Sequence, residues 1–122
     1  SLIIAYAHCI AHGYDLVNGL EQQKKAVQAG HWPLLRFDPR RVGTDEPPLK
    51  LDSGAPMLPL QDYIYGEQRY KMLEKMNPER AKMLLELARE QVASRWAIYE
   101  NLARGADPIA AVAAVPTTPK AN

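Results

Sequence analysis

An apolar run at residues 2–6 constrains the fold more than any other feature of the chain. The run reads Leu-Ile-Ile-Ala-Tyr, and Gly13 follows it closely. Unbroken apolar residues bounded by a turn residue are typical of a strand that is buried on both faces. Such a strand needs neighbouring strands, and the rest of the sequence supplies few segments that pair with it. Because the chain also begins with Ser1 rather than methionine, we expect a piece cut from a longer polypeptide.

Cys9, the single cysteine of the chain, lies just after this run, between His8 and His12. α/β proteins place ligand and cofactor chemistry at the carboxyl ends of their strands. A lone thiol, however, is most often a small buried hydrophobic residue. A zinc site that includes His31 is disfavoured because strand alternation points His8 and Cys9 to opposite faces, and a Cys9–His12 nucleophile pair lacks an orienting group. If Cys9 is a ligand, its partners are elsewhere.

Spacing of apolar residues predicts three helices. The first runs from residue 15 or 16 to residue 29 and ends at Gly30, and the second covers residues 66–76. Asn77 is the predicted cap of the third helix, with Pro78 in its first position, and the apolar spacing continues to near Gly105. Residues 32–39 and 49–52 predict a hairpin of edge strands.

These elements predict a mostly helical α/β fragment. It has one buried strand, a helix, a short β-hairpin and two carboxyl-terminal helices. Residues 106–122 are rich in Ala, Pro and Thr, and we expect them to form a disordered tail.

Composition excludes two classes of partner. The formal net charge is +1, from 15 basic and 14 acidic residues, so no basic field attracts nucleic acid or an anionic membrane. No segment approaches the roughly 20 apolar residues of a membrane-spanning helix. The single cysteine favours a reducing, cytoplasmic setting.

Several stretches of the chain resemble one enzyme family. LIIAYAHCIAHG at residues 2–13, AGHWPLLRFDP at 29–39 and LDSGAP at 51–56 are similar, in order and spacing, to the carboxyl-terminal segment of pyruvate:ferredoxin (flavodoxin) oxidoreductase. The resemblance continues through Tyr70, NPER at 77–80 and the long helix to about Leu102. It therefore covers nearly all of the chain except the tail.

The resemblance implies an enzyme that decarboxylates pyruvate on thiamine diphosphate with Mg²⁺ and forms acetyl-CoA from CoA. Electrons leave singly through [4Fe-4S] clusters to ferredoxin or flavodoxin. Residues 1–105 would be the carboxyl-terminal part of the thiamine-diphosphate-binding domain. Cys9 would be the fourth ligand of the cluster nearest to the thiamine, with the other three in an earlier part of the same polypeptide.

The resemblance also limits what this chain does alone. The family's thiamine and magnesium motif has no counterpart between Ser1 and Asn122. We therefore expect the isolated chain to be inactive and to bind neither thiamine diphosphate nor a stable cluster. Its expected partners are the remainder of the polypeptide and further copies of the enzyme in a homo-oligomer.

A self-standing helical interaction module is the alternative class. Cys9 would then be an inert core thiol, and the long helix would bind a partner or pair with itself. A cooperative monomer would favour this alternative. Self-association that covers residues 2–6 and the helix seams would favour the enzyme fragment.

Overall fold

The computed structural model describes residues 2–107 together with residues 110 and 113. Within these ranges the chain is mostly helical with one small antiparallel sheet, so the predicted fold class is confirmed. The predicted disordered tail lies outside the described residues, apart from residues 106, 107, 110 and 113. The elements in chain order are α1 (Gly19–Gln28), β1 (Leu35–Phe37), β2 (Leu49–Leu51), α2 (Leu60–Ile64), α3 (Gln68–Met76) and α4 (Pro78–Ala103).

The first predicted strand is not formed, and this part of the prediction is wrong. Residues 2–9 have no regular secondary structure, and Leu2, Ile3 and Ile4 are 83%, 89% and 72% exposed. No backbone hydrogen bond joins residues 2–8 to another described residue. A strand is stabilised by its neighbours, and the one sheet of the described residues pairs only β1 with β2. An apolar run such as residues 2–6 is buried as a strand only where a neighbouring strand pairs with it.

Helix α1 follows the predicted boundaries closely. A 3-10 turn at Leu16–Asn18 leads into it, and the Asp15 carboxylate caps that turn by accepting from the Val17 amide at 3.1 Å. The helix ends before Gly30, whose φ of 68° lies in the left-handed region. A Cβ at Gly30 would also lie 2.6 Å from Pro56 Cγ, so the chain needs glycine there.

The predicted hairpin is confirmed. Phe37 pairs with Leu49 and Leu35 with Leu51, in antiparallel register. Arg36 makes a bidentate ion pair with the carboxylate of Asp52, with nitrogen–oxygen distances of 2.7 and 2.8 Å. Leu49 is the buried residue of β2, and this strand packs against α4.

Helices α3 and α4 confirm the two predicted carboxyl-terminal helices, whereas α2 was not predicted. The Asn77 side-chain oxygen accepts from the Arg80 amide at 3.0 Å, and Pro78 occupies the first position of α4. None of the helices within the described ranges is long and apolar enough to cross a membrane.

The core is centred on the short helix α2. Tyr63 of this helix is completely buried and is one of the two largest side chains with no exposure. Residues from the amino-terminal segment, the loop after α1, α3 and α4 pack around this centre, including Tyr6, Trp32 and Val92. The buried cluster consists of Ala26, Ala29, Leu60, Tyr63 and Ile64.

Candidate functional site

Cys9 lies on the surface, at the start of a tight turn. Its backbone is extended, and its carbonyl accepts from the His12 amide at 2.9 Å to open a 3-10 turn at Ile10–His12. The thiol is free and the residue is exposed. The interpretation of Cys9 as a small buried residue is therefore wrong, and so is the inert core thiol of the interaction-module alternative. The sulfur is open to a partner from outside this chain.

Gly13 closes the turn and attaches it to α3. Its φ is 68°, and its amide donates to the Ile10 carbonyl at 3.0 Å. Its own carbonyl accepts from the Gln68 amide at 2.7 Å, at the first residue of α3. A Cβ at this position would lie 2.7 Å from Gln68 Cβ, so the close approach requires glycine.

Tyr6 attaches the chain on the other side of Cys9. Its Oη lies 2.7 Å from the Oη of the buried Tyr63. Its ring stacks on Trp32 with centroids 5.2 Å apart, and it meets the ring of His31 edge-on at 5.8 Å. Cys9 therefore lies on a segment that is attached to the core both before and after it.

Glu67 is a completely buried carboxylate beneath this turn. Its Oε2 accepts from Arg69 Nε at 2.5 Å and lies 3.9 Å from Nδ1 of His12. Its Oε1 accepts from Gln22 Nε2 at 3.3 Å, and the same amide nitrogen donates to the Tyr63 carbonyl at 2.9 Å. Buried carboxylates are retained only where such partners compensate for lost hydration. The network ties α1 and α2 to the start of α3.

Tyr63 and His31, which both contact Tyr6, are kept uncharged by their surroundings. Burial, and then the hydrogen bond to Tyr6, raises the pKa of Tyr63 far above its ordinary value. Burial, and then the nearby Arg95 guanidinium, lowers the pKa of His31. Arg95 is held in place because its Nη2 donates to the His31 carbonyl at 2.7 Å. A neutral imidazole and a protonated phenol are therefore the favoured forms.

The histidines near Cys9 do not gather around its sulfur to form a metal site. The His8 ring packs edge-on against Tyr14, with centroids 4.8 Å apart, and its Nε2 faces Gly19. Within residues 2–107, 110 and 113, no three His, Cys, Asp or Glu side chains are placed to hold a metal ion. A [4Fe-4S] cluster needs four ligands, and the whole sequence has one cysteine. Cys9, which is exposed, can therefore supply at most one cysteine ligand to such a cluster.

Sequence reasoning missed the groups that hold this turn. Tyr63 lies in a helix that was not predicted, and its hydroxyl partner Tyr6 lies 57 residues away in sequence. Glu67 looks like any charged residue before a helix, and no local pattern marks it as buried. These contacts depend on tertiary structure, so only a structure or covarying positions would reveal them.

Comparison with known proteins shows that the chain is similar to one class, the oxidoreductases named for pyruvate. A pyruvate-flavodoxin oxidoreductase from Rhodospirillum rubrum is 55% identical over 107 residues, which are 88% of this chain and 9% of that protein. The pyruvate-flavodoxin oxidoreductase of Trichormus variabilis is 52% identical over 103 residues, 84% of this chain and 9% of the relative. The pyruvate:ferredoxin oxidoreductase of Moorella thermoacetica is 41% identical over 105 residues, 86% and 9% of the respective lengths.

The chain therefore matches a segment of the pyruvate-flavodoxin and pyruvate:ferredoxin oxidoreductases, and the resemblance predicted from its sequence is confirmed. It spans about 9% of the length of the curated relatives that it matches. No protein-family model matches it.

Proposed function

We propose that the chain is the carboxyl-terminal segment of an oxidoreductase that converts pyruvate and CoA to acetyl-CoA and CO₂. The two electrons released leave one at a time through [4Fe-4S] clusters to ferredoxin or flavodoxin. The observation that carries this proposal is the identity of 41–55% to enzymes named for this substrate. Their names share pyruvate and differ in the electron acceptor. The proposal therefore names pyruvate as the substrate and either ferredoxin or flavodoxin as the electron acceptor.

Cys9 is the residue of this chain to which we assign a direct role. Its thiolate would bind one iron of the cluster nearest to the thiamine, and three cysteines from the remainder of the polypeptide would complete the cluster. Cys9 is exposed, and the backbone of its turn is hydrogen-bonded to the start of α3. An accessible sulfur on a fixed backbone supports this role. Ile10 is exposed beside it and would exclude water from the sulfur, which helps to set the cluster's reduction potential.

The other cofactors belong to the remainder of the protein in this proposal. Thiamine diphosphate, held with Mg²⁺, supplies the chemistry that cleaves the carboxylate from pyruvate, and residues 1–105 complete the domain that binds it. The isolated chain is accordingly inactive. The full enzyme is expected to be a cytoplasmic homo-oligomer.

A comparison of two proteins tests this proposal. The full-length polypeptide that contains the segment, purified without oxygen, should reduce methyl viologen when pyruvate and CoA are both present. The 122-residue chain should not, at any concentration of either substrate. Omission of CoA and replacement of pyruvate by lactate are the controls. Turnover by the isolated chain, or none by the full-length protein with its cofactors bound, would contradict the proposal.

A further inference from the structure

Two attachment points bracket Cys9, and the first is a pair of tyrosine hydroxyls. Tyr6 lies three residues before the cysteine, and its Oη is 2.7 Å from Oη of Tyr63. Gly13 lies four residues after it, and its carbonyl accepts from the Gln68 amide. Between these points the side chains of Cys9 and Ile10 are exposed. The place of the sulfur relative to the core is therefore set by the two attachments.

The attachment before Cys9 depends on very few contacts. The hydroxyl pair is the one hydrogen bond that residues 2–8 make to another described residue. The stacking of Tyr6 on Trp32 and the packing of His8 against Tyr14 are ring contacts, which fix direction less sharply than a hydrogen bond does. Loss of the hydroxyl pair would therefore leave this side of the turn packed but without a directional attachment.

Tyr63 is suited to serve as the fixed member of the pair. Its side chain is completely buried in the core, and its ring lies 4.7 Å from that of His31. Its carbonyl accepts from Gln22 Nε2, which joins α2 to α1. Because Tyr63 is held from several sides, Tyr6 is the member of the pair that is positioned.

We propose that Tyr63, acting through Tyr6, is a positioning residue for Cys9. The hydroxyl pair holds residues 6–9 in place, so that the Cys9 sulfur is already positioned to bind the iron. This inference rests on the proposed function, since it requires Cys9 to be a cluster ligand. Tyr63 contacts neither iron nor substrate, and its influence passes along the two residues between Tyr6 and Cys9. Groups that support a metal ligand from outside the coordination sphere commonly affect both affinity and electronic properties.

The test is Tyr63→Phe in the full-length enzyme, which removes one hydroxyl and keeps the ring. Tyr65→Phe is the matched control, because Tyr65 is two residues away and its hydroxyl bonds to no described residue. We expect the Tyr63→Phe cluster to assemble with an altered electron paramagnetic resonance spectrum. We also expect its iron to pass to a chelator roughly tenfold faster, in line with the loss of outer support to a metal ligand. Tyr65→Phe should match the wild-type enzyme in both measurements.

A second variant separates positioning from general packing. Tyr6→Phe should reproduce the altered spectrum, and the double variant should add no further change, because both substitutions remove the same bond. A Tyr63→Phe enzyme that unfolds earlier but keeps the wild-type spectrum and iron-release rate would overturn the positioning role.

Cys9→Ala in the same enzyme tests whether Cys9 is a cluster ligand, separately from whether Tyr63 positions it. If Cys9→Ala leaves the cluster unchanged, the assignment of Cys9 as a cluster ligand is wrong, and the positioning role fails with it; if it removes the cluster while Tyr63→Phe changes nothing, only the positioning role is wrong.

Discussion

The Gln68 amide donates to the Gly13 carbonyl across 2.7 Å, and this bond attaches the turn that carries Cys9 to the start of α3. The approach is close because Gly13 has no side chain. A Cβ there would meet Gln68 Cβ at 2.7 Å, and the φ of 68° is unfavourable for any other residue.

Gly13→Ala should therefore destabilise the chain more than an ordinary left-handed glycine does. We expect a loss of about 2–4 kcal/mol in the free energy of unfolding, from backbone strain plus the steric clash. Gly43→Ala is the matched control, because its φ is 80° and no atom lies within 4 Å of the added Cβ. It should lose only about 1–2 kcal/mol. Urea unfolding measures both, and equal losses would show that the turn is not packed against α3.

The buried Glu67 carboxylate should be important for stability. Glu67→Ala removes the partner of Arg69 and leaves the buried Gln22 amide short of an acceptor, for an expected loss of about 2–4 kcal/mol. Glu86→Ala is the control, since Glu86 is an exposed partner of Arg89 and should contribute less than about 1 kcal/mol. Thermal and urea unfolding compare the two variants. A Glu67→Ala protein as stable as Glu86→Ala would contradict the buried network.

His31 should make stability depend on pH. Its pKa in the fold is lowered from the ordinary 6.5, by burial and by Arg95, with Glu67 opposing and Arg69 adding to the shift. The unfolded chain therefore binds a proton at this residue before the folded chain does as the pH falls. The contribution of His31 should be complete above about pH 6.5 and be lost as the pH falls through the lowered pKa of the folded state.

His31→Gln isolates this effect. The stability difference between the wild-type chain and the variant, measured by urea unfolding from about pH 8 to pH 5, should shrink as the pH falls. If the wild-type chain gains stability relative to the variant at low pH, the fold favours the imidazolium, which contradicts the lowered pKa.

The exposed apolar residues at the start of the chain should promote self-association. Leu2, Ile3 and Ile4 form a contiguous exposed apolar stretch, and such surface favours contact with another apolar surface. Ile3→Lys should shift the isolated chain toward the monomer in sedimentation velocity experiments. Val17→Lys is the control, because Val17 is 91% exposed but lies outside this stretch. A cooperative monomer at all concentrations would instead favour the helical interaction module.

Local patterns in the sequence predicted most of the fold. The Asn77 cap, the Gly30 stop and the paired strands β1 and β2 depend on neighbours close in sequence, and all three are present. Helix α2 has only five residues, too few for a helical period to show. The first strand was predicted wrongly because residues 2–6 carry the apolar signal of a strand but not its partners.

The site was less predictable than the fold. The sequence singled out Cys9, and its role as a cluster ligand stays a prediction; its exposure was not foreseen. Tyr63 and Glu67 act through contacts with residues more than 40 positions away, which no local period encodes. Their burial follows from the packing of α1, α2 and α3, and that packing is a property of the folded chain.

The most direct test of the account is the electron paramagnetic resonance spectrum of the reduced full-length enzyme with Cys9→Ala, recorded beside the wild-type enzyme with its iron content. If Cys9 is a cluster ligand, the signal of one [4Fe-4S] cluster is lost or altered and iron is lost, while thiamine diphosphate still binds. An unchanged spectrum with unchanged iron content would contradict the claim that Cys9 is a cluster ligand.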